Sequence, residues 1–188
     1  ERPLNETALD SVRDLLRWVG EDPERDGLQE TPQRVLRALR EMTAGYHADV
    51  GAILGKRFDV AHDQMVTLTR IGFTSLCEHH VLPFEGEAAV AYIPDGCVVG
   101  ISKLARVVEA YARRLQVQER MTDQIAGAIQ QHLNPKGVAV IVKAQHGCMR
   151  CRGIRQQKTH MVTSAMLGVF RDKPEARDEF LTIWKAGG

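Results

Sequence analysis

The stretch MVTLTRIGFTSLCEHHVLPFEGEAAVAYIPDGCVVGI, residues 65–101, decides how this chain folds. Within it MVTLTRIGF (65–73) and GEAAVAYI (86–93) are rich in β-branched and small apolar residues with partial alternation, and Pro94-Asp95-Gly96 makes a turn before CVVGI (97–101). Three strands are expected. Downstream, Ser102 caps a helix through Leu104, Val107, Val108 and Tyr111. A second helix from about Val117 carries Met121, Ile125, Ala128, Ile129 and Leu133 to a stop at Asn134-Pro135. VAVIVKAQH (138–146) and HMVTSAMLGVF (160–170) again read as strands, and Pro174 opens a short helix with Phe180, Leu181 and Trp184.

Upstream the pattern is helical. Thr7 as N-cap and Gly20 as stop frame an amphipathic segment with Leu9, Val12, Leu15, Leu16 and Val19. Thr31 and Pro32 start a second, whose apolar face of Val35, Leu36, Leu39 and Met42 ends at Gly45. The order of helices, strands, two helices and strands lacks the βαβα alternation of a doubly wound sheet, so an α+β fold with an antiparallel sheet is expected. A helical N-terminal extension over residues 1–60 precedes an α+β domain over 61–188.

Twenty-five basic and 24 acidic residues give a formal charge of +1, which removes any global electrostatic case for nucleic acid or an anionic membrane. An anionic ligand must be met by a local cluster of bases. No apolar run approaches the roughly 20 residues of a membrane span. The opening ERPLNETALD has no basic stretch leading into an apolar one, so a cytoplasmic location is expected. In that setting Cys77, Cys97, Cys148 and Cys151 are expected as free thiols. Cys97, in an apolar strand, reads as a small buried hydrophobe.

Cys77-Glu78-His79-His80 and His146-Gly147-Cys148-Met149-Arg150-Cys151 concentrate thiolate and imidazole, a donor set that zinc favours over harder cations. Two arrangements satisfy this spacing. Cys77, His80 and Cys148 can hold the ion with a fourth position free for water, or Cys151 can close a four-ligand structural site. If the strand continues through 148, His146 and Cys148 project from one face, which puts an imidazole beside the metal. Ser102, Lys103 and Arg106 at a helix start make a phosphate seat, and Arg150, Arg152, Arg155 and Lys158 add bases beside the second cluster. Glu119, with Gln118, offers acceptors to the paired N–H donors on one edge of guanine.

The motifs IGFTSLCEHHVLPFEGEAAVAYIP, GISKLARVVEAYARRLQVQERMTDQIA, VAVIVKAQHGCMRCRGIR and TSAMLGVF together resemble GTP cyclohydrolase I, over most of residues 65–185. The resemblance implies one Zn2+ per subunit on Cys77, His80 and Cys148, with Cys151 outside the ligand set and His79 and His146 as acid–base groups. It also implies Glu119 with Gln118 on guanine, Ser102 near the ribose, and Lys103, Arg106 and Arg152 on the triphosphate. The implied substrate is GTP, opened hydrolytically at C8 with loss of formate on the way to 7,8-dihydroneopterin triphosphate. The implied fold is the T-fold, or tunnelling fold, an antiparallel sheet with two helices on one face. Pentamers close their sheets into barrels that stack as a homodecamer, with active sites where subunits meet. Neither nucleic acid nor membrane is an implied partner.

Overall fold

The computed structural model describes residues 5–187. They fall into two compact units, one ending at Thr43 and the other beginning at Ala44.

The first unit is a helix pair. Helix α1 (Glu6–Trp18) is capped by Asn5, whose side chain accepts from the Ala8 N–H at 2.8 Å, so the helix starts earlier than a Thr7 cap would have it. Arg13 joins Glu6 and Asp10 along its surface at 2.8 and 2.7 Å. Gly20, at φ +94°, takes the left-handed turn that ends it. Helix α2 (Thr31–Met42) begins with Pro32 in its first turn, where a missing N–H costs nothing.

The second unit opens with a 3-10 turn (Ala44–His47) and a short helix α3 (Val50–Gly55) capped by Asp49. Strand β1 (Arg57–Phe58) pairs antiparallel with β4 (Val98–Val99) as a separate ribbon. The main sheet contains β2 (Val66–Cys77), β3 (Pro83–Ile93), β5 (Leu115–Gln116), β6 (Gly137–His146) and β7 (Met161–Gly168), in the order β5-β2-β3-β6-β7. Its ladders are antiparallel except for the short β2–β5 pairing at Leu76 and Cys77. Among the described residues β7 is bonded on one side only, and β2 meets β5 only at its end.

Helices α4 (Ile101–Ala112) and α5 (Gln118–Leu133) pack on one face of this sheet, the expected α+β arrangement. Val90, Tyr92, Val140 and Val142 meet Leu104, Val107, Val108, Met121, Ile125 and Ile129 there. The intervening Ala89, Ala91, Ala139 and Ile141 point the other way, onto Phe170 and Phe180, supplied by α7 (Val169–Asp172) and α8 (Pro174–Ala186). Both faces of β3 and β6 are therefore covered, which is why AAVAY and VAVIV read as continuous apolar runs. The Phe170 and Phe180 rings meet edge to face at 6.0 Å, and burying each contributes about 1.5–3 kcal/mol.

Three local expectations are revised. CVVGI supplies only the two-residue β4, because Gly100 already accepts from Lys103 N–H as the N-cap of α4. Ser102 consequently lies inside the first turn and does not cap it. Cys97 is half-buried rather than a core residue. Gly86 of β3 pairs with Ala144 so closely that a Cβ there would lie 2.0 Å from the Lys143 carbonyl oxygen. No helix of the described residues is long and apolar enough to cross a membrane.

Candidate metal centre and its surroundings

Strand β2 runs to Cys77 and β3 resumes at Pro83, so Glu78–Leu82 is a hairpin loop. Cys77 closes it from both ends: its N–H donates to the Leu82 carbonyl, and its carbonyl accepts from Val81 N–H, each at 2.8 Å. Val81 is held at φ +53°, a rare conformation for a β-branched residue. The loop brings His80 Nδ1 to 3.8 Å and His79 Nδ1 to 3.9 Å from Cys77 Sγ. Cys77 is buried, whereas both imidazoles are exposed.

Strand β6 ends at His146, and Gly147–Arg150 form a helical turn, α6. His146 and Cys148 therefore do not share a strand face. The turn instead folds the chain back and delivers Cys148 to Cys77 and His80. One ligand atom from each of these three lies within 4.8 Å of the others, and among the described residues this is the group that can hold a metal ion. Burial pushes the Cys148 thiol pKa up, neighbouring Cys77 pushes it the same way, and Arg152 pulls it back. A Cys148 thiol whose ionisation is opposed by burial and by an adjacent sulfur is one that a bound cation would stabilise as thiolate. Cys151 lies outside the group, exposed, with its Sγ 2.9 Å from the Gly147 carbonyl oxygen.

His146 stacks on Phe84, its cross-strand partner, with ring centroids 4.5 Å apart and planes 3° from parallel. Burial lowers its pKa, and the negative charge of nearby Glu119 opposes that shift. Glu119 is exposed in the first turn of α5. Gln118 beside it is only 1% exposed. The two N–H donors of its amide nitrogen are shared among three acceptors, the Val142 and Met161 carbonyls and Thr163 Oγ1, at 3.2, 3.1 and 3.1 Å, and its oxygen lies 2.8 Å from His146 Nε2. The side-chain amide of Gln118 is thus engaged within the protein.

Cys77, His79, His80, Glu119, His146, Cys148 and Arg152 thus come together. Ser102, Lys103 and Arg106 do not join them. They start α4, whereas Gln116, which pairs with Cys77, follows its end, and a 12-residue helix spans about 18 Å. Arg106 lines a separate cavity of about 680 Å³ with Glu85, Glu109 and Arg113. Two contributors escaped the sequence reading. Arg120 pairs with Glu78 and so ties the hairpin loop to α5. The Phe84 platform becomes visible only once the β3–β6 register is known.

A family model described as GTP cyclohydrolase I matches residues 8–185. The chain is 54% identical over 176 residues to GTP cyclohydrolase 1 of Gloeobacter violaceus, covering 93% of this chain and 82% of that protein. It is 49% identical over 183 residues to GTP cyclohydrolase 1 of Rickettsia africae, covering 97% of each. Among solved structures, an archaeosine synthase QueF-Like in the apo form aligns with 55% of this chain and 93% of its own, at 23% identity and a TM-score of 0.46. With the family match running almost end to end and about half of all positions identical in these relatives, the chain belongs to the GTP cyclohydrolase I family.

Proposed function

We propose that this chain is a zinc-dependent GTP cyclohydrolase I, which opens the imidazole ring of the guanine of GTP at C8. It releases formate and forms 7,8-dihydroneopterin triphosphate, the first step of pterin and tetrahydrofolate biosynthesis. The convergence of Cys77, His80 and Cys148 from two distant segments, beside His146 and Glu119, carries this reading.

The donor set fits zinc. Arms of about 2.3 Å to sulfur and 2.0–2.1 Å to nitrogen in tetrahedral geometry put those ligand atoms about 3.6 Å apart, close to the 3.8 Å between Cys77 Sγ and His80 Nδ1. When bound, the ion supplies a Lewis acid that brings the pKa of a water molecule towards neutrality. The protein's own groups do the rest. Glu119 accepts from the two N–H donors on the pyrimidine edge of guanine and sets the base in register. His146 and His79 exchange protons with the purine and with water as the ring opens. Arg152, Lys103 and Arg106 neutralise the triphosphate, and Ser102 meets the ribose.

Residues 61–188 form the catalytic part and residues 1–60 an extension, mostly helical, that ends with the short strand β1. The distance between the α4 start and the metal group supports sites completed between copies, in a homodecamer of two stacked pentamers located in the cytoplasm. Incubation with GTP is expected to yield formate together with a pterin that fluoresces after oxidation. No formate from protein carrying one zinc per subunit would refute the assignment.

A further inference from the structure

We infer that Gln118 is a positioning residue that fixes His146 as its Nε2–H tautomer, leaving Nδ1 as the atom through which His146 exchanges protons. The inference rests on the reading of His146 as an acid–base group. It follows from counting donors and acceptors in a buried network.

The Val142 and Met161 carbonyl oxygens can only accept, and both lie within hydrogen-bond distance of the Gln118 amide nitrogen. Turning the amide over would bring its oxygen against those two oxygens without water to relieve them. Thr163 agrees with the same orientation. The Thr122 hydroxyl donates to the Gln118 backbone carbonyl at 2.8 Å, so the 2.7 Å contact between Thr122 and Thr163 uses the Thr163 proton. Thr163 Oγ1 is thereby left as an acceptor for the Gln118 amide. With the NH2 group committed on that side, the amide oxygen faces His146 Nε2 at 2.8 Å. An amide oxygen carries no proton, so Nε2 must carry one. Neutral His146 then holds its lone pair on Nδ1.

The ring is also fixed in plane, because Phe84 lies flat beneath it. Gln118 comes from α5, His146 from β6 and Thr163 from β7, so three packed elements set one imidazole. Gln118 and Glu119 are consecutive in one helical turn, one side chain inward and the other outward. That turn acts as a rigid spacer between the group proposed to grip guanine and the nitrogen proposed to serve its imidazole ring.

The test uses the zinc-loaded protein with ring-15N-labelled histidine. Nitrogen NMR at a pH where His146 is neutral, with its signals identified by their loss in His146→Asn, is expected to show a protonated Nε2 and a bare Nδ1. A proton on Nδ1 in the wild-type protein would overturn the inference, and this measurement depends neither on turnover nor on a Gln118 variant that folds. Gln118→Met keeps the volume and removes the amide. It is expected to lower kcat by about 10- to 100-fold, with KM for GTP held within about twofold, and to mix the two tautomers. A raised KM with unchanged kcat would instead make Gln118 a substrate contact and overturn the positioning role. If GTP is not turned over at all, the function assignment fails while the tautomer measurement still stands.

Discussion

Cys148 lies within the short turn α6 and Cys151 caps its C-terminal end, and their surroundings separate them. Cys148 faces Cys77 and is pushed towards the thiol form by burial and by that neighbour. Cys151 faces solvent and the Gly147 carbonyl. Cys148→Ser is therefore expected to take the zinc content of dialysed protein from one per subunit to near zero, with activity lost alongside. Cys151→Ser is expected to leave both nearly unchanged, and equal metal loss in the two variants would point to the closed four-ligand site. That Cys77, His80 and Cys148 gather was largely legible at this scale, because Cys–x–x–His and a distant cysteine are chemically distinctive. Gln118 was not. Whether an amide on a helix start turns inward or outward depends on which strands lie beneath it, and Val142, Met161 and Thr163 are known as its partners only after the sheet is assembled.

The hairpin loop between β2 and β3 has an external tie. Arg120 of α5 donates to Glu78 and holds its carboxyl pKa below the usual range, and the same guanidinium reaches Gln116 Oε1 and the Leu115 carbonyl at 3.2 and 3.3 Å. A carboxyl pKa depressed by folding contributes stability above the ordinary glutamate value, and that contribution disappears as pH falls through the folded-state value. Arg120→Gln is thus expected to lower Tm near pH 7, with the deficit shrinking as pH falls below the ordinary glutamate range, where the wild-type pair is also broken by protonation. Calorimetry across that range checks it, and a constant deficit would mean that the hydrogen bonds to Gln116 and Leu115 carry the whole effect. Elements buried on both sheet faces, such as β3 and β6, announced themselves through unbroken apolar runs. The end of β2 did not, since Thr74-Ser75-Leu76-Cys77 is polar enough to read as loop and is drawn into the sheet by pairing with β3 and β5. The conditional extension of β6 through Cys148 does not occur, because the chain turns at Gly147 to bring Cys148 back.

Over the whole molecule, the bases at the start of α4 and the metal group at its far end read as two half-sites. Lys103→Ala combined with Arg106→Ala, and separately Cys148→Ser, are each expected to abolish turnover. If neighbouring copies complete each other's sites, dissociating the two inactive proteins and reassembling them in equal amounts restores about a quarter of the sites, since each half must come from the right variant. No recovery would place both halves in one chain. The five longer helices and the antiparallel class followed from periodicity, whereas the short α3, α6 and α7 did not, and no pattern in one chain reports which copy faces which. The outer strands of the sheet carry a further consequence. With β7 bonded on one side and most of β2 open on the other, a lone protomer presents two unfinished ladders, each a template for any extended segment it meets. In the proposed decamer those edges find partners, and dilution or a poorly fitting neighbour is then expected to be felt first as precipitation, before any loss of fold within the protomer.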